Sequence, residues 1–390
     1  MIKFLISKTE LNEYQFSDYE YNDWHFINYS NHYFDNGDVI IPRDADFLYN
    51  DECIEYILSS GQFGKNIIFD FVSSDYPLSV THYNLLKIKF ETRNIKIVTP
   101  NIYLFGKEFS YWYDPKIGQM DYIYDNSKIF DELLIQQHKF LRMKKYLYLT
   151  SHPRYERVQL LDLLHKDDLI KHGSVGFPSI ESVDEDEIRM LTWKNGRHAS
   201  KIRKVTDSDY NLPLILDFAR KTKEYSSNKK HQLWDGKNWV DSDLHTGDFN
   251  PINYFNNYFE IYSETYYYGF GSVDTLLGDK KEGEYLQVSE KTLKPIVNMI
   301  PFFCLTDIGF YKKLKEIGLR FESEFYSDLS FDELERSEDK VYKFYEVVKR
   351  FCEMDITKLH EIYYNSTKEL IHNKHTLKRT LNNELIKLFK

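Results

Sequence analysis

The chain has 390 residues, 42% of them hydrophobic, and a formal net charge of −10; that is length for two to three domains and apolar content for two cores, and the acidic balance speaks against a chain-wide affinity for nucleic acid or an anionic membrane, though a local groove can still be basic. Cys53, Cys304 and Cys352 stand far apart without a CxxC pair, which argues for a reducing compartment and against a disulfide framework or structural zinc. No run approaches the roughly 20 apolar residues of a membrane helix, and the opening MIKFLISKTELNEY is too short an apolar stretch for a signal peptide, so a soluble, cytoplasmic protein without a membrane span is expected.

In chain order, Lys3–Ser7, His25–Tyr29, Asp38–Pro42, Asn66–Val72 and Lys96–Pro100 are short apolar or alternating runs bounded by Asp, Asn, Gly or Pro, and they read as strands. Between them, Asp51–Ser60 and Leu78–Arg93 carry helical spacing. Alternating strands and helices predict an open α/β sheet, on which ligands bind beyond the carboxyl ends of the strands. Two acidic groups fall at such ends: Arg43, Asp44 and Asp46 after DVIIP, and Ser73, Ser74 and Asp75 after NIIFDFV. Either aspartate, taken singly, is more often a solvated loop residue or a helix cap.

QQHKFLRMKK, Gln136–Lys145, turns from acidic to basic and reads as the linker between a first lobe, residues 1–141, and a second, residues 142–330. The second opens with KKYLYLTSHPRYERVQLLDLL, in which Lys145–Thr150 reads as a strand, Ser151–Pro153 as a turn, and Tyr155–Leu164 as a helix with Val158, Leu161 and Leu164 on its apolar face. A strand feeding a turn and a helix start makes an anion site, where Arg154 and Arg157 can fork onto phosphate oxygens. The competing reading of Arg157 is a surface salt bridge to Glu156 or Asp162. Further on, TWKNGRHASKIRK is a basic turn containing Arg197, either a contact for a polyanion or a solvated face. SSNKKHQLWDGKNWVDSDLHTGDFNP reads as a long polar loop; Trp234 and Trp239 in it would stack on a sugar ring or, more commonly, pin the loop to a core.

YFEIYSE reads as a strand that delivers Glu264 to its end, and LQVSEKTLKPIVNMIPFFCLTD as a helix over Glu290–Asn298 with Ser289 as N-cap, followed by a buried strand, Pro301–Leu305. Ser289, Glu290 and Lys291 lie where a first helical turn exposes backbone N–H groups, so a phosphate can be held by the helix end and Lys291 while Glu290 accepts ribose hydroxyls. Tyr311–Gly318 reads as a helix ended by glycine. From residue 331 to 390 the chain reads as packing helices, with apolar stripes over Val341, Phe344, Val347, Val348 and Phe351 and over Leu359, Ile362 and Tyr363.

SEKTLKPI, the PFF after it, a helix and GLRFESEF resemble the C-terminal lobe of a family of bacteriophage and viral glycosyltransferases, in which a Ser/Thr-Glu-Lys-Thr-aromatic-Lys-Pro motif precedes Pro-Phe and a Gly-Phe-x-Thr-Phe turn. The segment is similar, more distantly, to the Glu-Lys donor motif of α1,3-fucosyltransferases. The likeness covers roughly the last two-thirds of the chain and includes a Pro-Arg and a second Arg leading into an apolar helix, here Arg154 and Arg157; His152 departs from the Arg often found there, and His372 with Asn373 matches a His-Asn pair.

What the resemblance implies is an α/β protein of two Rossmann-like lobes (GT-B type) facing a central cleft, braced by the C-terminal helices. It implies a glycosyltransferase, hexosyl or pentosyl, taking a UDP- or GDP-linked sugar as substrate with no cofactor and no metal. Arg154, Arg157, Glu264, Ser289, Glu290, Lys291 and Thr292 would then bind the donor, and Arg197, Trp234 and Trp239 the acceptor. Inverting transfer needs a base within about 3 Å of the acceptor hydroxyl, for which Asp75 is the first candidate and Asp44 the second. The acceptor is expected to be a hydroxymethylated base in bacteriophage DNA modification, within the host cytoplasm, or otherwise a glycan or protein. A catalytically silent binding protein with the same fold is the alternative, and Asp44 with Asp46 binding Mg²⁺ or Mn²⁺ would signal the other major glycosyltransferase architecture.

Overall fold

The computed structural model describes residues 2–7, 19–21, 24–29, 38–42, 46–49, 51–59, 66–71, 78–99, 101–108, 110–112, 135–136, 138–149, 155–176, 231–234, 239–242, 251–264, 286, 288–334 and 338–389. The chain is a mixed α/β protein with parallel sheets, and it divides into two compact units. One contains Met1–Pro115, Gly283–Val288 and Lys378–Lys390, the other Lys116–Glu282 and Ser289–Leu377.

The first unit is built on a seven-stranded sheet of β1 (Ile2–Ser7), β2 (Tyr19–Tyr21), β3 (Trp24–Tyr29), β4 (Asp38–Pro42), β5 (Asn66–Asp70), β6 (Asn94–Thr99) and β7 (Ser110–Trp112), in the order β2-β3-β1-β4-β5-β6-β7. From β1 through β4, β5 and β6 to β7 every pairing is parallel. The expected strand-helix alternation holds there, with α1 (Asp51–Ser59) and α2 (Val80–Lys89) in the connections. The other edge differs, because β3 pairs antiparallel with both β1 and β2. Only Asn22 and Asp23 separate β2 from β3, a hairpin-length link that no crossover helix can fit. The core is made by Ile67, Phe69 and Phe71 of β5 and its continuation, Ile95 and Ile97 of β6, and Leu86 and Phe90 from the helical side. Helix α2 starts where Ser79 caps it, its hydroxyl accepting from the His82 N–H at 3.0 Å.

The second unit holds a four-stranded, wholly parallel sheet of β8 (Lys144–Leu149), β9 (Gly173–Gly176), β12 (Asn257–Ser263) and β13 (Phe302–Leu305), ordered β13-β12-β8-β9. From β8 the chain crosses by α3 (Tyr155–Lys166) to β9 on one side, and from β12 by α5 (Glu290–Val297) to β13 on the other. The winding therefore reverses between β8 and β12, the place where such sheets open a crevice beyond their strand ends. Every residue of β12 is buried, as a strand covered on both faces must be. The segment expected to be one long polar loop contains instead a hairpin of β10 (His231–Trp234) and β11 (Trp239–Ser242) that puts Trp234 and Trp239 in register. The sequence between the two strands begins with Asp-Gly, a pair favoured where hairpins turn.

Helices α6 (Phe310–Glu316), α7 (Glu338–Glu353), α8 (Ile356–Asn365) and α9 (Thr367–Phe389) follow, α4 (Pro251–Asn256) having preceded β12. The expected stripes are buried at Val341, Phe344, Val347, Val348 and Phe351 and at Leu359, Ile362 and Tyr363. Much of the aromatic content goes into this core: Phe351 stacks on Phe303 at 5.5 Å and on Phe325 at 5.0 Å, and meets Phe259 edge-on at 5.8 Å.

Candidate functional site

Period-2 alternation along β12 sorts its side chains onto two faces. Phe259, Ile261 and Ser263 share one face, that of Phe351 and α3; Tyr258, Glu260, Tyr262 and Glu264 share the other, that of α5. The first turns of α3 and α5 thus meet the last residues of β12 from opposite faces, beside the reversal point.

On the α3 side, Arg157 is 2% exposed. Its Nε donates to Ser263 Oγ at 2.7 Å and its Nη2 to the Ser263 carbonyl at 3.1 Å. Ser263 Oγ in turn donates to Glu156 at 3.2 Å, and the Glu156 carboxylate stands 4.0 Å from Arg157 Nε. The Arg157 carbonyl accepts from Tyr148 OH at 2.8 Å, which ties α3 to β8. Arg157 is therefore no surface ion pair, and Asp162 is engaged elsewhere, with Lys166 at 2.6 Å.

On the α5 side, Glu264 is 1% exposed and faces the helix N-terminus. Its Oε1 accepts from the Ser289 N–H at 3.1 Å and from Thr292 Oγ1 at 2.5 Å, while Oε2 accepts from Ser289 Oγ at 2.5 Å. A carboxylate there complements both the N–H groups of a helix start and the positive end of the helix dipole. Ser289 is the N-cap, as its sequence position predicts, and its Oγ accepts from the Lys291 N–H at 3.2 Å. Tyr262 OH donates to Thr292 Oγ1 at 2.8 Å, so strand and helix are stitched at two successive positions of the alternation. Lys291 is half-buried.

Glu156 and Arg157 of α3 and Ser289 and Thr292 of the SEKT segment, distant in the chain, are thus joined through Ser263 and Glu264, adjacent residues of one strand end. Glu290 is the first residue of α5. Asp44, Asp75, Arg154 and Arg197 lie outside the described residues, and Trp234 and Trp239 are described by their backbone pairing.

Sequence reasoning did not single out Glu260 or Ser263. Glu260 is buried on the Glu264 face, and burial pushes its carboxyl up to about 8, against the pull of Lys294 and with the push of Glu264. The signal was present: Tyr258, Glu260, Tyr262 and Glu264 alternate tyrosine and acid along one strand face. His372 and Asn373 have a positional role, His372 Nε2 lying 3.0 Å from the Gly318 carbonyl and Asn373 bonding both the N–H and the carbonyl of Arg320 at 2.7 and 2.8 Å. No family model, curated protein or solved structure was found to match this chain, so the chemistry of the site is read from its own residues.

Proposed function

We propose that the protein is a glycosyltransferase of two Rossmann-like lobes that holds the diphosphate of a nucleotide sugar at the carboxyl edge of the second sheet. The observation that carries this reading is the meeting of two helix starts, α3 with Arg157 and α5 with Ser289 and Lys291, on Ser263 and Glu264. The Ser289 and Lys291 N–H groups are engaged by Glu264 and by Ser289 Oγ, so in this reading negative charge developing on a leaving diphosphate is stabilised by the dipoles of two helices together with a guanidinium and an ammonium, the role a divalent metal otherwise fills. Glu264 holds the start of α5 in place through three hydrogen bonds, so that Lys291 and the backbone of that turn are presented in one geometry. Inversion at the sugar would use Asp75 or Asp44 as base, with a hydroxymethylated DNA base as acceptor, or else a glycan or protein.

A silent binding protein is the second reading, and it is favoured by the burial of Arg157 and Glu264, whose hydrogen bonds hold the fold together. The two are separated by titrating the protein with UDP-, GDP-, CMP- and dTDP-linked sugars. Lys291→Ala is expected to weaken binding about 10- to 100-fold, from ~1.5–3 kcal/mol for a hydrogen bond to a charged group, without changing the circular dichroism spectrum. Absence of binding by the unaltered protein to every one of these donors would select the silent reading. A steep loss of DNA affinity with added salt would select DNA as acceptor.

A further inference from the structure

We propose that Glu260 is the proton acceptor of the diphosphate site: binding of a nucleoside diphosphate brings a proton from solvent onto its carboxylate, which ties affinity to pH. This inference rests on the donor-site reading above and adds a regulation that reading does not contain.

Glu260 is 4% exposed in the middle of β12, and its Oε2 has no hydrogen-bond partner among the described residues. The register neighbours that flank it are apolar, Phe302 on β13 and Leu147 on β8. The titratable groups that face it are Lys294 and Lys291 from α5, Tyr254 from α4, which hydrogen-bonds its carboxyl, and Glu264 from its own strand. Two carboxyl groups of β12 and the partly exposed ammonium groups of Lys291 and Lys294 therefore lie between β12 and α5, and Lys291 is also the cation offered to the ligand.

A diphosphate arriving beside Lys291 adds negative charge to a layer that already contains two carboxyl groups. The Glu264 oxygens already accept three hydrogen bonds from the start of α5. Glu260 has the unpartnered oxygen and a carboxyl that burial pushes up to about 8, so that near and above this pH it is a carboxylate that can take up a proton. Protonating it removes one negative charge and releases the ammonium groups to the ligand, so the proton and the diphosphate bind together. Raising the pH through the titration of Glu260 then weakens binding. The ligand itself keeps a constant charge above pH 7, since a terminal phosphate loses its last proton near pH ~6.

The test uses the full chain, UDP and GDP as probes, and calorimetric titration at pH ~7, ~8 and ~9 in buffers of different ionisation enthalpy. For the unaltered protein we expect affinity to fall about three- to tenfold across that range, with net proton uptake on binding at pH ~8 and ~9 and little at ~7, and for Glu260→Gln no pH slope and no buffer dependence. A ligand-free arm follows urea unfolding. Because the folded value lies above the unfolded 4.5, the contribution of Glu260 to stability is complete below 4.5 and is lost as pH rises through about 8. Stability should therefore decline over that window in the unaltered protein and decline less in Glu260→Gln. Binding without a pH slope overturns the inference and leaves the donor site standing. No binding of either nucleotide at any pH overturns both, and an unaltered pH profile of stability in Glu260→Gln overturns the inference alone.

Discussion

Arg142 shows what a buried charge does at the opposite end of the same sheet, just before β8. Its side chain donates to the carbonyls of Tyr254 and Asn257 and to Tyr363 OH, and its guanidinium lies 4.3 Å over the Tyr363 ring. Its backbone N–H donates to Tyr258 OH at 3.0 Å. One residue thus joins the strand starts of β8 and β12 to α4 and α8. Arg142→Met would leave several buried acceptors unpaired at ~1–3 kcal/mol each, so we expect a loss of about 3 kcal/mol or more in urea unfolding. His138, its ring tilted against Tyr363 at 4.4 Å, is pushed down to about 3 by burial and by Arg142. It is neutral when folded, so its effect has the sign opposite to that of Glu260: stability rises with pH between about 3 and its ordinary 6.5. The Glu260 comparison is therefore cleanest above that window.

Two helix ends make the same point among elements. Helix α6 ends in a Schellman turn, with Gly318 N–H on the Lys315 carbonyl at 2.9 Å and Leu319 N–H on Leu314 at 3.1 Å, and Gly318 at φ +98°. The glycine announces that ending in the sequence. Helix α5 ends in the same hydrogen-bond pattern, Met299 N–H to Ile296 at 3.2 Å and Ile300 N–H to Pro295 at 3.0 Å, but the left-handed residue is Met299 at φ 52°. A buried Met accepts that conformation because the tertiary packing of its side chain outweighs the ~1–2 kcal/mol of left-handed strain. The start of α6 is equally tertiary, for Asp332, far along the chain, accepts from the N–H groups of Phe310 and Tyr311 at 2.9 and 3.0 Å. Gly318→Ala combines left-handed strain with a new Cβ 3.1 Å from Thr376 Cγ2. We expect it to lower stability by ~1–2 kcal/mol, read as a shifted denaturation midpoint, with nucleotide affinity unchanged.

At the scale of the whole molecule, each unit closes its own sheet over its own core, Phe69 at the centre of one and Phe303 at the centre of the other. Phe69→Ala and Phe303→Ala should each cost ~3–5 kcal/mol. In calorimetry we expect each to displace a different part of the unfolding profile, and a bound nucleotide to stabilise only the part that Phe303→Ala displaces. A single transition moved equally by both variants would refute that independence. Among the described residues no helix is long and apolar enough to cross a membrane.

The sequence by itself determined the elements whose causes are local: the β8-α3 and β12-α5-β13-α6 successions, the Ser289 cap, the Gly318 stop and the stripes of α7 and α8 are written in periodicity and capping residues a few positions apart. It also placed Arg157, Ser289 and Lys291 at helix starts and Glu264 at a strand end. Only the tertiary structure decided that the first sheet carries an antiparallel edge, that Trp234 and Trp239 belong to a hairpin, and that Glu260 and Arg142 are buried ionisable groups. The physical reason is range. Helical and strand periods, caps and turns act within a few residues, whereas sheet order, burial of a charge and the partner of a carboxylate depend on chain segments brought together only when the core closes.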